Sequence, residues 1–372
     1  MVNKQRLLDE FLELVQTDSE TKYEREIADL LIQKLQDIGM DVVEDSSQPR
    51  TGHGAGNLIA TLEGNTNGKA IYFTSHMDTV VPGLSVQPVV EDGVIRSDGT
   101  TVLGADDKAG IAAMFEAVRT LKEEGAAHGT IQFIITVGEE SGLAGARELD
   151  MELVNADFGY ALDSDGAVGS IVTAAPNQAK LFITCHGQKA HAGVAPERGI
   201  SAIQVAADAV SRMPLGRIDE ETTANIGRIE GGSQTNIVCD RVDLKAEARS
   251  LVRSKLEAQT AAMREACEKA AERFQTTVDV DIQFVYPGFK QAETDEVVEF
   301  AVEAVKQIGR EPLLKQSGGG SDANIIAGHG VPTVNLGVGY EDIHTTAESI
   351  PEQELYKLAE LTYALMKQSA HA

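Results

Sequence analysis

A histidine and an aspartate stand two residues apart at the end of an apolar run, a spacing that can place both on one metal ion. The run IYFTSHMDT at 71–79 predicts a buried strand that ends in polar residues. Side chains two apart on a strand face the same way, so we expect His76 and Asp78 to project together. An imidazole beside a carboxylate suits a transition metal; one side chain binds the ion, and the other binds it too or fixes the ring tautomer. Alone, the pair is more typical of a solvated strand end.

Three later stretches repeat the pattern of an apolar segment that meets acidic residues. The acids concerned are Asp106 and Asp107, Glu139 and Glu140, and Asp163. The first pair precedes an apolar helix, and the others follow short apolar strands. Open α/β sheets bind their ligands at the carboxyl ends of their strands, so this recurrence predicts a carboxylate-lined metal site.

Each of these acids also has an ordinary structural interpretation. Asp106 or Asp107 could cap the following helix, since aspartate is a favoured N-cap. Glu139 and Glu140 could form a solvated turn; in a metal site one could bind the ion while the other takes a proton from water. Asp163 begins a turn-like Asp-Ser-Asp-Gly string, and His344 alone would be a surface histidine.

Composition limits the classes of partner and compartment. The chain has 372 residues, a net charge of −26 and 42% hydrophobic residues, as in a globular protein. This charge argues against nucleic acid or a membrane surface as a partner, because both need basic patches. Cys185, Cys239 and Cys267 lack paired spacing and predict core residues in a reducing compartment. The N-terminus lacks the apolar core of a signal peptide, so we expect a cytoplasmic protein.

The elements that must position these residues predict an α/β fold with a mixed-sheet catalytic domain. Strands and helices alternate up to about residue 175, and the pattern resumes after residue 288. Between them the order strand–helix–strand–strand–helix–strand is typical of a ferredoxin-like βαββαβ (α+β) domain. We therefore predict a discontinuous catalytic domain at 1–176 and 289–372, and an inserted dimerisation or lid domain at 177–288.

The ordered motifs resemble a known family of enzymes. SHMDT at 75–79, GADDKAG at 104–110, GEE at 138–140, AHAG at 190–193, GGSD at 319–322 and the late His344 are similar to the co-catalytic zinc peptidases. That family includes peptidase T, carboxypeptidase G and the aminoacylases. The ADDKAG string resembles the peptidase T branch in particular.

The resemblance implies a role for each motif residue. The implied ligands of two divalent metals are His76, Asp106, Glu140, Asp163 and His344, with Asp106 bridging the ions. The metals would be two Zn²⁺ per subunit, although Mn²⁺ or Co²⁺ would also suit these ligands. Glu139 would be the general base, and Asp78 would orient His76. A cis peptide bond between Asp106 and Asp107 is implied as well.

The inserted domain and the GGSD motif are implied to complete the site. His191 would reach the active site of the other subunit in a homodimer and stabilise the tetrahedral oxyanion. Asn236 and Arg249, on a predicted strand at 235–250, and Ser321 would contact the substrate, although Ser321 could also simply cap the next helix. The peptidase T branch has an arginine where this chain has Gly318. Arg249 or backbone amides would then take over its task, or the substrate differs.

We therefore expect a dizinc aminopeptidase, similar to a tripeptidase, that hydrolyses short peptides. The alternatives are an N-acyl-amino-acid amidohydrolase or carboxypeptidase on the same scaffold, and a non-catalytic metal- or peptide-binding homologue. Four further histidines receive no role; these are His53, His128, His329 and His371.

Overall fold

The computed structural model describes residues 1–370 and divides the chain into two compact units. The first unit contains Met1–Ala174, Gln291–Gln316 and the chain from Ser321 onward. The second contains Ala175–Lys290 and Ser317–Gly320. The polypeptide thus leaves the first unit and returns to it.

Helices and strands alternate through most of the first unit, as the sequence predicts. Over both units, the helices are α1 (Lys4–Gln16), α2 (Arg25–Asp37), α3 (Gln48–Thr51), α4 (Ala105–Glu124), α5 (Ala144–Arg147), α6 (Ala202–Arg212), α7 (Arg253–Phe274), α8 (Glu296–Gln307), α9 (Asp322–Gly328) and α10 (Glu352–Gln368), with 3₁₀ turns at Met151–Leu153 and Pro196–Arg198. The strands are β1 (Asp41–Glu44), β2 (Leu58–Leu62), β3 (Ile71–His76), β4 (Pro88–Glu91), β5 (Val94–Ser97), β6 (Ile131–Thr136), β7 (Phe158–Ser164), β8 (Ser170–Ala175), β9 (Asn177–His186), β10 (Gly216–Arg217), β11 (Thr222–Gly231), β12 (Arg241–Ser250), β13 (Val278–Tyr286), β14 (Phe289–Lys290), β15 (Leu313–Gln316), β16 (Thr333–Gly337) and β17 (Ser349–Pro351).

A mixed sheet forms the centre of the first unit. Its strands follow the order β1-β2-β6-β3-β7-β16-β8, and β15 pairs with β8. The central strands β6, β3, β7 and β16 run parallel, whereas β1, β2 and β8 pair antiparallel with their neighbours in this order. β3 and β6 are buried along their whole length, as expected for strands covered on both faces. The predicted mixed-sheet α/β fold is confirmed.

The second unit is a sheet whose strands all pair antiparallel. Its order is β10-β11-β12-β9-β13, so the fourth long strand lies beside the first, and the third lies between the first and the second. This is the ferredoxin-like arrangement that the element order predicts. Helices α6 and α7 pack with it around a separate apolar core that includes Leu181, Val205 and Met263.

All three cysteines are buried and unpaired, as expected for core residues. Within residues 1–370, every helix is too short or too polar to cross a membrane.

Candidate metal centre and active site

Parallel strands bring the predicted ligands to one edge of the central sheet. His76 is the last residue of β3 and pairs in register with Thr136, the last residue of β6. Glu139 and Glu140 follow β6 directly, and Asp163 lies near the end of β7, the other neighbour of β3. Carboxyl ends of parallel strands meet at the same edge, so residues up to 87 positions apart become neighbours.

Two histidines flank one aspartate at this edge. His76 Nε2 lies 3.1 Å from Asp106 Oδ1, and His344 Nε2 lies 3.2 Å from Asp106 Oδ2. His344 Nε2 also lies 2.8 Å from Glu140 Oε1. His76, Asp106 and Glu140 each offer one potential ligand atom, and these three atoms lie within 4.8 Å of one another. Such a group can hold a metal ion. The two oxygens of Asp106 thus face different histidines.

A second such group shares Asp106. Ligand atoms of Asp106, Asp107 and Asp163 also lie within 4.8 Å of one another. Asp107 is fully buried and accepts a hydrogen bond from the Ser75 hydroxyl through Oδ2, while its Oδ1 has no hydrogen-bond partner. Three carboxylates that meet in a buried place repel one another strongly unless cations or protons offset the charge.

The start of α4 has an irregular backbone that presents both aspartates. Gly104, which precedes α4, has φ of +79°. The Asp106 carboxylate contacts His76 and His344, and that of Asp107 contacts Ser75; neither contacts a helix N–H, so the capping interpretation is wrong. Asp106 and Asp107 have non-helical backbone angles, and the peptide bond between them is cis, which confirms that prediction.

Glu348 holds this irregular loop and was not predicted as a functional residue. Its carboxylate, 2% exposed, accepts the backbone N–H groups of Leu103 at 2.8 Å, Gly104 at 2.8 Å and Asp106 at 3.0 Å. Three backbone donors on one carboxylate fix the loop that carries Asp106. The only local signal was its position four residues after His344.

Asp78 contacts the site differently from the expectation. The ring Nδ1 of His76 lies 2.9 Å from the Asp78 backbone carbonyl oxygen and 3.5 Å from its carboxylate Oδ1. The carbonyl therefore fixes the tautomer that leaves Nε2 free for a metal. The carboxylate instead accepts the backbone N–H groups of Glu139 at 3.0 Å and Glu140 at 3.3 Å. Asp78 thus links the histidine to the two glutamates.

The pKa values at the site reflect crowded acids in a buried place. Burial, with the nearby Asp163 carboxylate, raises the pKa of Glu139 well above its ordinary range. Burial and the Asp106 carboxylate do the same to the pKa of Asp163. Hydrogen bonds with Asp106 and Glu140 raise the pKa of His344 to about 10. Burial opposes the charged form of His76, but contacts with Asp106 and Asp78 still raise its pKa.

These features fit bound divalent cations. The donor set combines imidazole nitrogens with carboxylate oxygens, which zinc accepts, and the buried Asp107 Oδ1 has no hydrogen-bond partner. A cation would offset the burial and the carboxylate repulsion that raise the pKa values of Asp107 and Asp163.

Two side chains that sequence reasoning missed hold Asp163 in place. Asn335 accepts the Asp163 backbone N–H at 3.0 Å and donates to its carbonyl oxygen at 2.6 Å. The buried Tyr340 hydroxyl donates to Asp163 Oδ1 at 3.2 Å. Asp163 is therefore a strand residue with fixed orientation, and its turn interpretation is wrong.

The serine of the GGSD motif has a structural role. Ser321 is the N-cap of α9 and forms a capping box with Asn324, and it also accepts a hydrogen bond from Asn335 at 3.1 Å. Asp322 is buried and accepts a hydrogen bond from the Thr136 hydroxyl. Burial raises the pKa of Asp322 to about 6. The predicted substrate contact of Ser321 stays a prediction, whereas its alternative as a helix cap is confirmed.

The remaining predicted residues lie in the second unit. His191 and Asn236 occupy neighbouring exposed loops, joined where the Ala192 N–H donates to the Asn236 carbonyl oxygen at 2.9 Å. Asn236 is not on a strand, because β12 begins only at Arg241; that part of the expectation is wrong. The structure brings these two residues together although 45 positions separate them.

Arg249 is on β12 as expected. Its guanidinium contacts Glu247 at 3.0 Å and donates to the Gly318 carbonyl oxygen at 3.0 Å. The arginine thus lies beside the position where the peptidase T branch has its own arginine. Of the histidines without a predicted role, His371 lies outside the described residues.

The cluster of histidines and carboxylates is of the kind that metal-dependent hydrolases use, and the family of the chain agrees with it. A model of the Peptidase family M20/M25/M40 matches residues 72–368, and the chain belongs to this family of metallopeptidases. The resemblance to its peptidase T branch is confirmed by the comparisons that follow.

Relatives match the chain over its full length. The protein YqjE of Bacillus subtilis (strain 168), described as uncharacterized, is 62% identical over 370 residues and covers 100% of both chains. The crystal structure of aminopeptidase PepT from Bacillus cereus ATCC 10987 has a TM-score of 0.96, 62% identity and 99% coverage of both chains. That of a tripeptidase from Staphylococcus aureus has a TM-score of 0.98, 48% identity and 100% coverage of both chains.

Proposed function

We propose that this peptidase is a dizinc aminopeptidase that removes the first residue from short peptides, as a tripeptidase does. Two of the similar solved structures are an aminopeptidase and a tripeptidase. The observation that carries the proposal is the Asp106 carboxylate, each oxygen of which faces a different histidine. Such a carboxylate can serve two cations at once.

The ligand residues would divide between two cations around Asp106. His76, Glu140, Asp163 and His344 would complete the two sites with Asp106. Bound there, divalent cations supply Lewis acidity that lowers the pKa of water and polarises the scissile carbonyl.

Glu139 would move the protons of the reaction. Its carboxylate is adjacent in sequence to the proposed ligand Glu140, and a carboxylate beside bound cations can take a proton from water. It would take a proton from the attacking water and deliver it to the leaving amine. Asp78 would hold Glu139 in place through the backbone N–H that it accepts.

The first test compares hydrolysis of a free tripeptide by metal-stripped and zinc-reconstituted protein, with Glu139→Gln alongside. We expect zinc to restore activity, and Glu139→Gln to lower kcat by at least about 10²-fold while zinc stoichiometry stays at two per chain, because the variant loses only the proton acceptor. A fully active Glu139→Gln protein would contradict the assigned base.

A substrate panel separates this proposal from the related alternatives. Free tripeptides, N-blocked peptides and acyl amino acids are each offered to the zinc-loaded enzyme. Turnover of the N-blocked substrates alone would favour an amidohydrolase or carboxypeptidase. Tight zinc binding without turnover of any substrate would favour a non-catalytic binding protein.

We further propose a cytoplasmic homodimer, formed through the second unit, in which His191 acts in the partner's active site. His191 lies in an exposed loop, and its Nδ1 accepts a hydrogen bond from Gly193 N–H at 3.2 Å within that loop. Its ring could therefore donate through Nε2 to a developing oxyanion, a contact worth about 10²–10³-fold in kcat.

Mixed dimers test this trans arrangement. Glu139→Gln and His191→Ala should each be nearly inactive alone, because one lacks the base and the other the oxyanion donor. After subunit exchange, an intact His191 would serve the intact base of its partner, so we expect the mixture to regain activity. A mixture that stays inactive, although mass measurements show mixed dimers, would contradict action in trans.

A further inference from the structure

A buried histidine without a predicted role connects the N-terminal helices to the turn that carries the proposed base. His53 Nδ1 lies 2.6 Å from Glu24 Oε1, and His53 Nε2 lies 3.1 Å from the Ser141 hydroxyl oxygen. His53 is 4% exposed and Glu24 is fully buried. Ser141, which directly follows Glu140, is exposed.

The glutamate end of this chain is firmly anchored. Glu24 Oε1 accepts the Lys22 backbone N–H at 2.7 Å, and Oε2 accepts the Gly54 N–H at 2.8 Å. The same Oε1 lies against His53 Nδ1, so the anchored carboxylate holds the ring from this side. The orientation of the imidazole is therefore set from the side away from the turn.

The other side of the ring packs directly on the turn. Gly138 has φ of +60°, and a Cβ added there would lie 2.3 Å from His53 Cε1, so only glycine leaves room for the ring. The Ser141 hydroxyl also lies 3.1 Å from the Gly138 carbonyl oxygen. His53 thus contacts the turn on both sides of Glu139 and Glu140.

We propose that Glu24, His53 and Ser141 form a positioning chain that holds Glu139 and Glu140 at the metal centre; the proposal rests on the function proposed above. Asp78 holds the same turn through two backbone N–H groups. The turn is thus held from two sides. Without the serine contact, the two glutamates gain freedom to move away from the cations, since groups that orient metal ligands set metal affinity and rate.

Ser141→Ala tests the chain because it removes an exposed hydroxyl and leaves the buried Glu24–His53 pair intact. We expect zinc affinity, measured by competition with a chelator, and kcat on a tripeptide to fall about tenfold each. KM and the unfolding temperature should change little, since no substrate contact or buried group is lost. Ser141→Thr keeps the hydroxyl and should restore both quantities.

Ser211→Ala is the matched control. Ser211 is also exposed and donates to the carbonyl oxygen three residues earlier, that of Asp208 at 2.8 Å, but it lies on α6 in the second unit. This variant should leave zinc affinity and kcat unchanged. Equal zinc affinity in wild type, Ser141→Ala and Ser211→Ala would overturn the proposal. Because zinc affinity needs no turnover, the result stands even if the wild type cleaves no peptide.

Discussion

At the scale of single residues, the site depends as much on the groups that hold the ligands as on the ligands themselves. Asp106 faces two histidines, but the loop that presents it is fixed by Glu348 through three backbone N–H groups. Asp163 is held in the same way by Asn335 and Tyr340. Buried polar groups of this kind leave each ligand one orientation, which is what metal affinity requires.

Replacing Glu348 by glutamine should weaken metal binding without unfolding the protein. The glutamine amide has nearly the same shape as the carboxylate. However, its NH₂ group replaces an oxygen that accepts a backbone N–H, so two donors then face each other. We expect a 10- to 100-fold loss in zinc affinity and in kcat, roughly the effect of removing an outer partner of a ligand. Chelator competition and tripeptide hydrolysis measure the two quantities.

Glu341→Gln makes the same change of charge at an exposed position near His344 and serves as the control. It should retain zinc affinity. If Glu348→Gln bound zinc as tightly as this control, Glu348 would have no part in positioning Asp106.

At the scale of elements, the parallel pair β3 and β7 sets the separation of the ligands at their ends. Tyr72 on β3 pairs in register with Gly159 on β7, and a Cβ at Gly159 would lie 2.1 Å from the Tyr72 ring. The Tyr72 hydroxyl in turn bonds Thr333 on β16. The absence of a side chain at Gly159 lets the ring cross the sheet surface at this point.

Gly159→Ala should destabilise the protein. The added methyl group overpacks a fully buried ring, which costs about 1–3 kcal/mol in the free energy of unfolding. Denaturant unfolding of the metal-free protein measures the change. Gly318→Ala, with open space around its Cβ, is the control and should be neutral; equal stability of both variants would show that the Tyr72 ring moves aside without cost.

At the scale of the whole molecule, the metal centre concentrates part of an acidic protein's charge at one buried place. The chain carries 58 acidic and 32 basic residues. In the first unit several acids meet at the sheet edge, where burial raises the pKa values of Glu139, Asp163 and Asp107. Without cations, the burial of these acids and the repulsion between them oppose folding when the acids are ionised. The free energy of unfolding therefore depends on pH.

Metal-free protein should lose stability as the pH rises from about 6 to about 9. Glu139 and Asp163 have raised pKa values in the folded state, and so does His344, at about 10. Over this range the folded state keeps protons that the unfolded chain has released, so each rise in pH favours unfolding. Asp106 has a lowered pKa, so it is ionised in the folded and the unfolded state throughout this pH range. Its contribution to the free energy of unfolding is therefore constant.

Thermal unfolding in a chelator, with and without added zinc, measures this dependence. The zinc-loaded protein should show the opposite trend, because ligands must be deprotonated to bind and affinity rises with pH. Asp163→Asn removes one of the titrating groups and should flatten the metal-free curve. A metal-free unfolding temperature that increased with pH would contradict the charge-repulsion account.

The sequence by itself determined the α/β class and the family. It also predicted the ferredoxin-like insertion and the residue types of the proposed metal centre. These depend on local signals: apolar runs that end in acid, and short motifs such as SHMDT and GADDKAG. Only the tertiary structure decided which carboxylate faces which histidine, and that the Asp78 carbonyl rather than its carboxylate lies closest to the His76 ring.

Only the tertiary structure also showed the supporting residues. Glu348 meets the Asp106 loop across 242 positions, and His53 meets Ser141 across 88. An isolated glutamate or histidine has no local pattern that distinguishes it from a surface residue. Its role arises from burial and from partners that chain folding brings close, and neither is encoded in the neighbouring residues.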